Sequence, residues 1–162
     1  MLKINKKVEY ALMALKFMAD KTQLLQTHSL TSAREICDEF NTPFDTTAKV
    51  MQLMNNHNIL KSTKGIKGGY SLNRPLSDIT YMELVRLIEG KKDIGRVCTN
   101  NNGLCELFKK CNIATPVDQL NRKLNTFLET LTLADLLQGS EFNHQAPGHM
   151  PKGQPLTPEN LL

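Results

Sequence analysis

The stretch Ile59-Leu60-Lys61-Ser62-Thr63-Lys64-Gly65-Ile66-Lys67-Gly68-Gly69-Tyr70-Ser71-Leu72 has the pattern of a β-hairpin. Two short strand candidates flank a turn whose glycines tolerate positive φ. Between Lys61 and Arg74 the chain carries basic residues and no acidic one. Lysines on such a hairpin can lie along DNA phosphates, or they can simply protect a solvated strand edge. The composition of the hairpin favours the first reading.

Two short helices are predicted before this hairpin. Ser32 and Glu35 have the spacing of a capping box, which starts a helix that should end near Asn41, since Pro43 disfavours helical geometry in the residue before it. Asp45 is the expected N-cap of a third helix, over residues 45–56. Two short helices joined by a turn and followed by a hairpin have the layout of a winged helix-turn-helix.

Helices are also predicted on either side of this unit. Apolar residues at helical spacing predict a first helix over residues 4–20, and a second capping box, Thr80 and Glu83, starts a helix that ends at Gly90. A longer apolar stripe predicts a helix of about 22 residues over 115–137. That stripe would be buried by self-association or by packing back on its own domain.

The predicted fold class is therefore mainly α, a winged helix-turn-helix domain with a long C-terminal dimerisation helix. The end of the chain is rich in proline and glycine and has little periodicity, which is typical of a disordered tail. The expected boundaries are 1–90 for the DNA-binding domain with its wing at 60–74, 91–112 for a cysteine cluster-binding loop, 113–138 for the dimerisation helix and 139–162 for the tail.

Three cysteines, Cys98, Cys105 and Cys111, lie close together with the spacing C-x6-C-x5-C. The first gap is mostly polar and contains Gly103 near its end, so it can fold back on itself. Three soft thiolates suit an iron–sulfur cluster or zinc, although the CxxC spacing of structural zinc sites is absent and a fourth ligand must come from elsewhere. The alternative is three ordinary thiols. The remaining cysteine, Cys37, is expected to be a small buried hydrophobe.

Composition narrows the classes of function. The formal net charge of +4 over 162 residues is compatible with a polyanionic partner. No apolar run is long enough to span a membrane and no signal peptide is recognisable, so a reducing, cytoplasmic location without membrane contact is expected. Motifs for a catalytic triad, an HExxH metalloprotease or a P-loop are absent, which argues against an enzyme. The cysteines also lack ferredoxin spacing, which disfavours a small iron–sulfur electron carrier.

The chain resembles the iron–sulfur transcription regulators of the IscR and NsrR type over about residues 2–138. The matching pieces occur in order along the chain: Val8-Glu9-Tyr10-Ala11-Leu12, Ala33-Arg34-Glu35-Ile36, the wing from Gly65 to Leu72, Leu87-Ile88-Glu89-Gly90 and the three cysteines. The ordered set is more specific than any one piece.

This resemblance implies a bacterial homodimer whose third helix enters the major groove of a palindromic operator in double-stranded DNA. Thr46, Thr47 and Lys49, on the early and exposed side of that helix, are the candidates for contact with base edges or phosphates. Lys64 and Lys67 would follow the backbone or the minor groove. Operator binding would be controlled by an iron–sulfur cluster that senses iron–sulfur status, nitric oxide or redox state.

Two departures from the family pattern concern the fourth ligand. The IscR type has five residues in the first cysteine gap and a histidine soon after the third cysteine, whereas this chain has six and no such histidine. The NsrR type takes a carboxylate from the partner's first helix, and Glu9 matches that position. Either a [2Fe–2S] or a [4Fe–4S] cluster would fit. The alternatives are a DNA-binding regulator that uses thiol oxidation or zinc at the same cysteines and, in another class, the electron carrier.

Overall fold

The computed structural model describes residues 4–25, 29–65, 68–90, 99–100, 103–104 and 110–138. The helices are α1 (Lys6–Leu25), α2 (Ala33–Phe40), α3 (Phe44–Asn56), a 3₁₀ turn (Leu76–Asp78), α4 (Tyr81–Glu89), α5 (Ala114–Thr130) and α6 (Leu133–Gln138), and the strands are β1 (Leu60–Thr63), β2 (Gly69–Leu72), β3 (Thr99–Asn100) and β4 (Gly103–Leu104). The predicted fold class is confirmed. Among the described helices, none is both long and apolar enough to cross a membrane. The predicted tail, 139–162, lies outside the described residues.

The core lies where α1, α3 and α4 meet. The apolar stripe predicted for α1 is buried, with Leu15 fully enclosed and Leu12 packed against the core from its edge. α2, α3 and α4 each bring a buried face to the same cluster. Burial of these apolar side chains fixes the angle at which α3 is presented to solvent.

The N-cap of α2 is the residue predicted from the sequence, whereas the N-cap of α3 is not. Ser32 Oγ accepts a hydrogen bond from the Glu35 amide at 3.1 Å, as the capping box predicts, while the Glu35 carboxylate binds Lys21 instead. The prediction that Asp45 caps α3 is wrong, because α3 starts one residue earlier, after Pro43. Asp45 falls in the first turn, where its charge complements the positive end of the helix dipole.

The predicted wing is confirmed as an antiparallel hairpin in which β1 and β2 pair from Leu60–Leu72 to Thr63–Gly69. Thr31 adds a short bridge to Tyr70, with backbone hydrogen bonds of 2.8 and 2.9 Å in the two directions. A Cβ atom on Gly69 would lie 3.0 Å from the Thr31 carbonyl oxygen, so this close approach favours glycine. The wing is thereby tied to the residues that lead into α2.

The prediction of one long helix over 115–137 is wrong, because α5 ends at Thr130 and α6 begins at Leu133. Thr132 separates them, and its Oγ accepts a hydrogen bond from the Asp135 amide at 3.1 Å, which caps α6.

The break between α5 and α6 also attaches both helices to the domain. The Tyr81 amide donates to the Leu131 carbonyl, and the Leu133 amide donates to the Ile79 carbonyl, both at 2.8 Å. These two hydrogen bonds flank a β-bridge between Thr80 and Thr132. We call residues 79–81 and 131–133 the junction. The C-terminal end of α5 is therefore held against the start of α4.

Candidate nucleic-acid interface and cysteine segment

α3 presents a row of exposed polar side chains on the side opposite its buried face. Asp45, Lys49, Gln52 and Asn56 recur at steps of four, three and four residues, so they share one side of the helix, and all four are exposed. We call this set the polar strip. The strip mixes charges with hydrogen-bonding amides, which is the chemistry needed to bind base edges in a major groove.

The three α3 candidates named from the sequence do not all belong to this surface. Lys49 is exposed, and Thr46 is half-buried beside the strip. The expectation that Thr47 is exposed is wrong, since only 1% of it is accessible and its hydroxyl lies 2.9 Å from the hydroxyl of Thr42. A hydroxyl that has a neighbouring hydroxyl as hydrogen-bond partner can be buried at little cost, which is why its polarity misled the prediction.

The wing places two of its lysines in solvent. Lys61 on β1 and Lys64 just beyond it are both exposed, whereas Lys67 lies outside the described residues. Arg74, which belongs to the same basic run, instead binds Glu83 at 2.6 Å and thus holds the end of the wing against α4. Lys61 and Lys64 are therefore the described cations that the wing offers to a polyanion.

The start of α3 carries an aromatic side chain that the sequence reasoning missed. Phe44 is its first residue and is 50% exposed, and the guanidinium carbon of Arg34 on α2 lies 5.9 Å from the centre of its ring. The prediction began α3 at Asp45 and so left Phe44 out of the helix. Because Phe44 lies three and seven residues before the buried Thr47 and Met51, its spacing resembles that of a core residue and gives no signal of its exposure.

The cysteine segment is described in part. β3 and β4 pair Thr99 with Leu104 and Asn100 with Gly103, which agrees with the prediction that the first cysteine gap folds back. Cys98 and Cys105 lie outside the described residues, but each is one residue from the paired Thr99 and Leu104. In the sequence, Cys98 immediately precedes β3 and Cys105 immediately follows β4.

Cys111 is half-buried and lies three residues before α5. Within the described ranges, no group of three or more histidine, cysteine or acidic residues is assembled. The donor set is chemically suited to an iron–sulfur cluster, because three thiolates are soft ligands and two of them immediately flank the β3–β4 hairpin in the sequence.

Glu9 lies in the first turn of α1, and its carboxylate binds the Lys6 ammonium at 2.6 Å. This hydrogen bond raises the pKa of Lys6. The Glu9 side chain keeps 30% of its surface accessible, and a solvent-exposed pair of this kind is easily separated. The Glu9 carboxylate is thus accessible to a metal centre held by another chain.

α5 and the residue just before it carry apolar side chains that the described part of the chain leaves about half exposed. Ile113, Leu120, Leu124 and Phe127 are between 48% and 59% exposed. They follow one another at steps of seven, four and three residues, so they form one line, which we call the apolar stripe of α5. Leu128 of the predicted stripe is instead buried, so part of it packs on its own domain. A contiguous exposed apolar surface marks an interaction site.

A winged helix-turn-helix with a polar strip on α3 and a basic wing defines a DNA-binding transcriptional regulator. The chain belongs to the Rrf2 family, described as iron-dependent transcriptional regulators, whose family model matches residues 4–139. The resemblance noted from the sequence is confirmed at the level of this family.

Individual relatives agree with this assignment. An HTH-type transcriptional regulator of Aquifex aeolicus is 27% identical over 136 residues, which are 83% of this chain and 90% of that protein. One from Lactococcus lactis is 29% identical over 104 residues, 59% of this chain and 64% of its own length. These relatives are regulators of transcription, and they give no support to an enzymatic function for this chain.

Solved structures confirm the fold. CymR, the global cysteine regulator of B. subtilis, superimposes with a TM-score of 0.64 at 24% identity, covering 87% of this chain and all of that one. A regulator from Listeria innocua gives 0.67 at 25% identity, and T. potens IscR gives 0.61 at 21%, each covering 91% of this chain and 94% of its own.

Proposed function

We propose that two copies of this protein bind a palindromic operator in double-stranded DNA in the bacterial cytoplasm, and that an iron–sulfur cluster controls this binding. The observation that carries the DNA half is the exposed polar strip of α3 beside a basic wing. α3 would enter the major groove, with Thr46 and Lys49 contacting base edges or phosphates. Lys64 and Lys67 would follow the backbone or the minor groove. Thr47 is left out of the proposal because it is buried.

The apolar stripe of α5 supports the homodimer. A second copy offers the same stripe, so a two-fold interface would pair like with like and would cover all four side chains at once. Two α3 helices related by that two-fold axis would match a palindrome, because operator symmetry mirrors protein symmetry. This gives the exposed side chains of α5 a partner of fitting chemistry.

Cys98, Cys105 and Cys111 are the proposed thiolate ligands, and Glu9 of the partner is the proposed fourth ligand. A bound cluster of either the [2Fe–2S] or the [4Fe–4S] type would supply a centre that can be gained, lost or oxidised. A carboxylate is a hard ligand for such a centre, so we expect its bond to be labile, which suits a sensor. Lys6 would release the Glu9 carboxylate when that ligation forms.

Position along the chain connects the cysteines to DNA binding in this proposal. Cys111 lies two residues before Ile113, the first member of the apolar stripe of α5. The junction holds the other end of α5 to α4, which packs on α1 and α3. A change at the cysteines would therefore act on the dimer interface and, through the junction, on the spacing of the two α3 helices.

The test of the cluster uses anaerobic protein, its visible spectrum, iron and sulfide analysis, and binding to an operator selected from random duplexes. Wild type should contain iron and sulfide, Cys111→Ala should lose them, and Glu9→Ala should lose or alter the spectrum. Cys37→Ala is the matched control, since Cys37 lies on α2, and it should keep the cluster. Wild type without iron that still binds the operator would remove the cluster from the proposal.

A second candidate keeps the DNA binding and replaces the cluster by reversible oxidation of the same cysteines, or by zinc. It is supported by the fold neighbours, which include B. subtilis CymR and an oxidised form of Staphylococcus aureus CymR at 21% identity. Thiol counting before and after a mild oxidant separates the two candidates. Loss of two thiols together with altered operator affinity, in protein that lacks iron, favours the second.

A further inference from the structure

Phe44 and Phe40 are two exposed phenylalanines with different surroundings. Phe40, at the end of α2, is 38% exposed, and its ring meets that of Phe17 edge-on at 5.9 Å. Phe44 is 50% exposed, and the guanidinium group of Arg34 lies 5.9 Å from the centre of its ring. Phe40 is thus partly covered by the domain itself, whereas Phe44 displays half of its surface beside a cation.

The position of the Arg34–Phe44 pair gives this exposure a meaning. In a helix-turn-helix, the first helix crosses the DNA backbone, and the N-terminal residues of the second contact base edges. Arg34 is the second residue of α2, and Phe44 is the first residue of α3. Phe44 also directly precedes Asp45, the first residue of the polar strip. The pair therefore lies where the backbone and the edge of the major groove would meet the protein.

We infer that Phe44 contacts the methyl group of a thymine in each half-site, and that Arg34, whose guanidinium lies 5.9 Å from the centre of that ring, binds the neighbouring phosphate. This inference rests on the proposed DNA binding and is independent of the cluster. Among the bases, thymine alone presents a methyl group in the major groove, and phenylalanine is one of the side chains that recognise it. A guanidinium within cation–π distance of a ring is attracted to it and still offers several N–H donors to phosphate oxygens.

The experiment starts from a sequence selected by wild type out of random duplexes. Each thymidine is then replaced in turn by deoxyuridine, which removes the methyl group and leaves base pairing intact. Wild type should bind about fourfold more weakly at one thymidine per half-site, the value expected for one buried methyl group. Phe44→Ala should show no difference between thymidine and deoxyuridine at that position. Phe40→Ala, the matched control, should keep the fourfold difference.

Arg34 is tested by the salt dependence of binding. Arg34→Ala should reduce the slope of log K against log salt by about one per subunit, because one phosphate contact is lost, and it should weaken all sequences alike. Arg34→Lys, which keeps the charge, should retain the slope. An unchanged slope in Arg34→Ala overturns the phosphate contact.

The outcomes distinguish this inference from the function it rests on. Enrichment of an operator in which no thymine methyl matters, or in which Phe44→Ala keeps the same methyl dependence, overturns the inference and leaves operator binding in place. Failure of wild type to enrich any sequence overturns the proposed function and the inference with it.

Discussion

α3 and α5 are both amphipathic helices, of 13 and 17 residues, and they treat their apolar faces differently. The apolar face of α3 is buried against α1, α2 and α4, with Met51 fully enclosed. On α5, Leu128 is buried while Leu124 and Phe127 remain about half exposed. Similar periodicity thus marks a helix held by its own domain and a helix with surface left for a partner. The difference can be tested by substitution on each side.

The largest effect on stability is expected in the face that α3 buries. Met51→Ala should lower the free energy of unfolding by about 2–5 kcal/mol, since it removes a fully buried side chain and leaves a cavity. Urea denaturation at low protein concentration measures this. Leu124→Ala, the matched change on α5, should cost about 1 kcal/mol or less under the same conditions. Equal losses of unfolding free energy would show that Leu124 is as fully packed as Met51 and would contradict the difference between the two helices.

The second effect concerns association. Leu124→Asp and Phe127→Asp place a charge in the apolar stripe of α5 and should weaken self-association by about 30-fold or more, the effect of losing one interface hot spot. Sedimentation measured over a range of concentrations detects the change. Thr126→Asp adds the same charge to α5 at an exposed position off the stripe and should leave association unchanged. Similar sedimentation of all three variants and wild type would assign the stripe another partner.

A smaller effect is expected at the start of α4. Thr80→Ala removes the hydroxyl that accepts a hydrogen bond from the Glu83 amide at 3.1 Å, and it should lower the free energy of unfolding by about 1 kcal/mol. Thr80→Ser keeps the cap and should stay close to wild type. If serine were as destabilising as alanine, the junction backbone, and not the cap, would be what Thr80 supports. Thermal melts of the two variants measure this difference in stability and show whether the cap or the junction stabilises the start of α4.

The smallest effect lies in the ion pair that links the two regions. Arg86 on α4 binds Glu129 on α5, and both side chains are about half exposed. A double-mutant cycle with Arg86→Ala and Glu129→Ala should give a coupling of about 0.2–1 kcal/mol that falls as salt is added. The Asp118–Arg122 pair within α5, in which the Arg122 side chain is 79% exposed, is the more exposed control. A coupling well above this range would show that α5 is fixed to α4 more firmly than exposed charges allow.

The sequence predicted the wing and the capped helices because their signals are local. Ser32 and Thr80 each place a hydroxyl three residues before an acidic residue, which predicts a helix start. The observed caps use those hydroxyls. Gly90, predicted to end α4, has a φ of 80°, which favours glycine. The break between α5 and α6 carried a similar signal in Thr132 and Asp135, but the continuing apolar periodicity concealed it.

The site was predicted less completely because exposure depends on partners distant in the sequence. Thr47 looks like a surface residue until Thr42 is brought to its hydroxyl by the turn between α2 and α3. Phe44 looks like a core residue until the Arg34 contact and its half-exposed ring are visible. The ligand role of Cys98, Cys105, Cys111 and Glu9 stays a prediction, since it depends on a cofactor and a second chain.

The junction has a mechanical consequence. A helix of 17 residues is about 25 Å long, and α5 is attached near its C-terminal end by the backbone hydrogen bonds of the junction, the buried Leu128 and the Arg86–Glu129 ion pair. α5 can therefore pivot at the junction, so that its N-terminal end, which begins three residues after Cys111, moves the most. A tilt of about 5° about the junction would displace that end by about 2 Å, which is enough to change how two copies fit together.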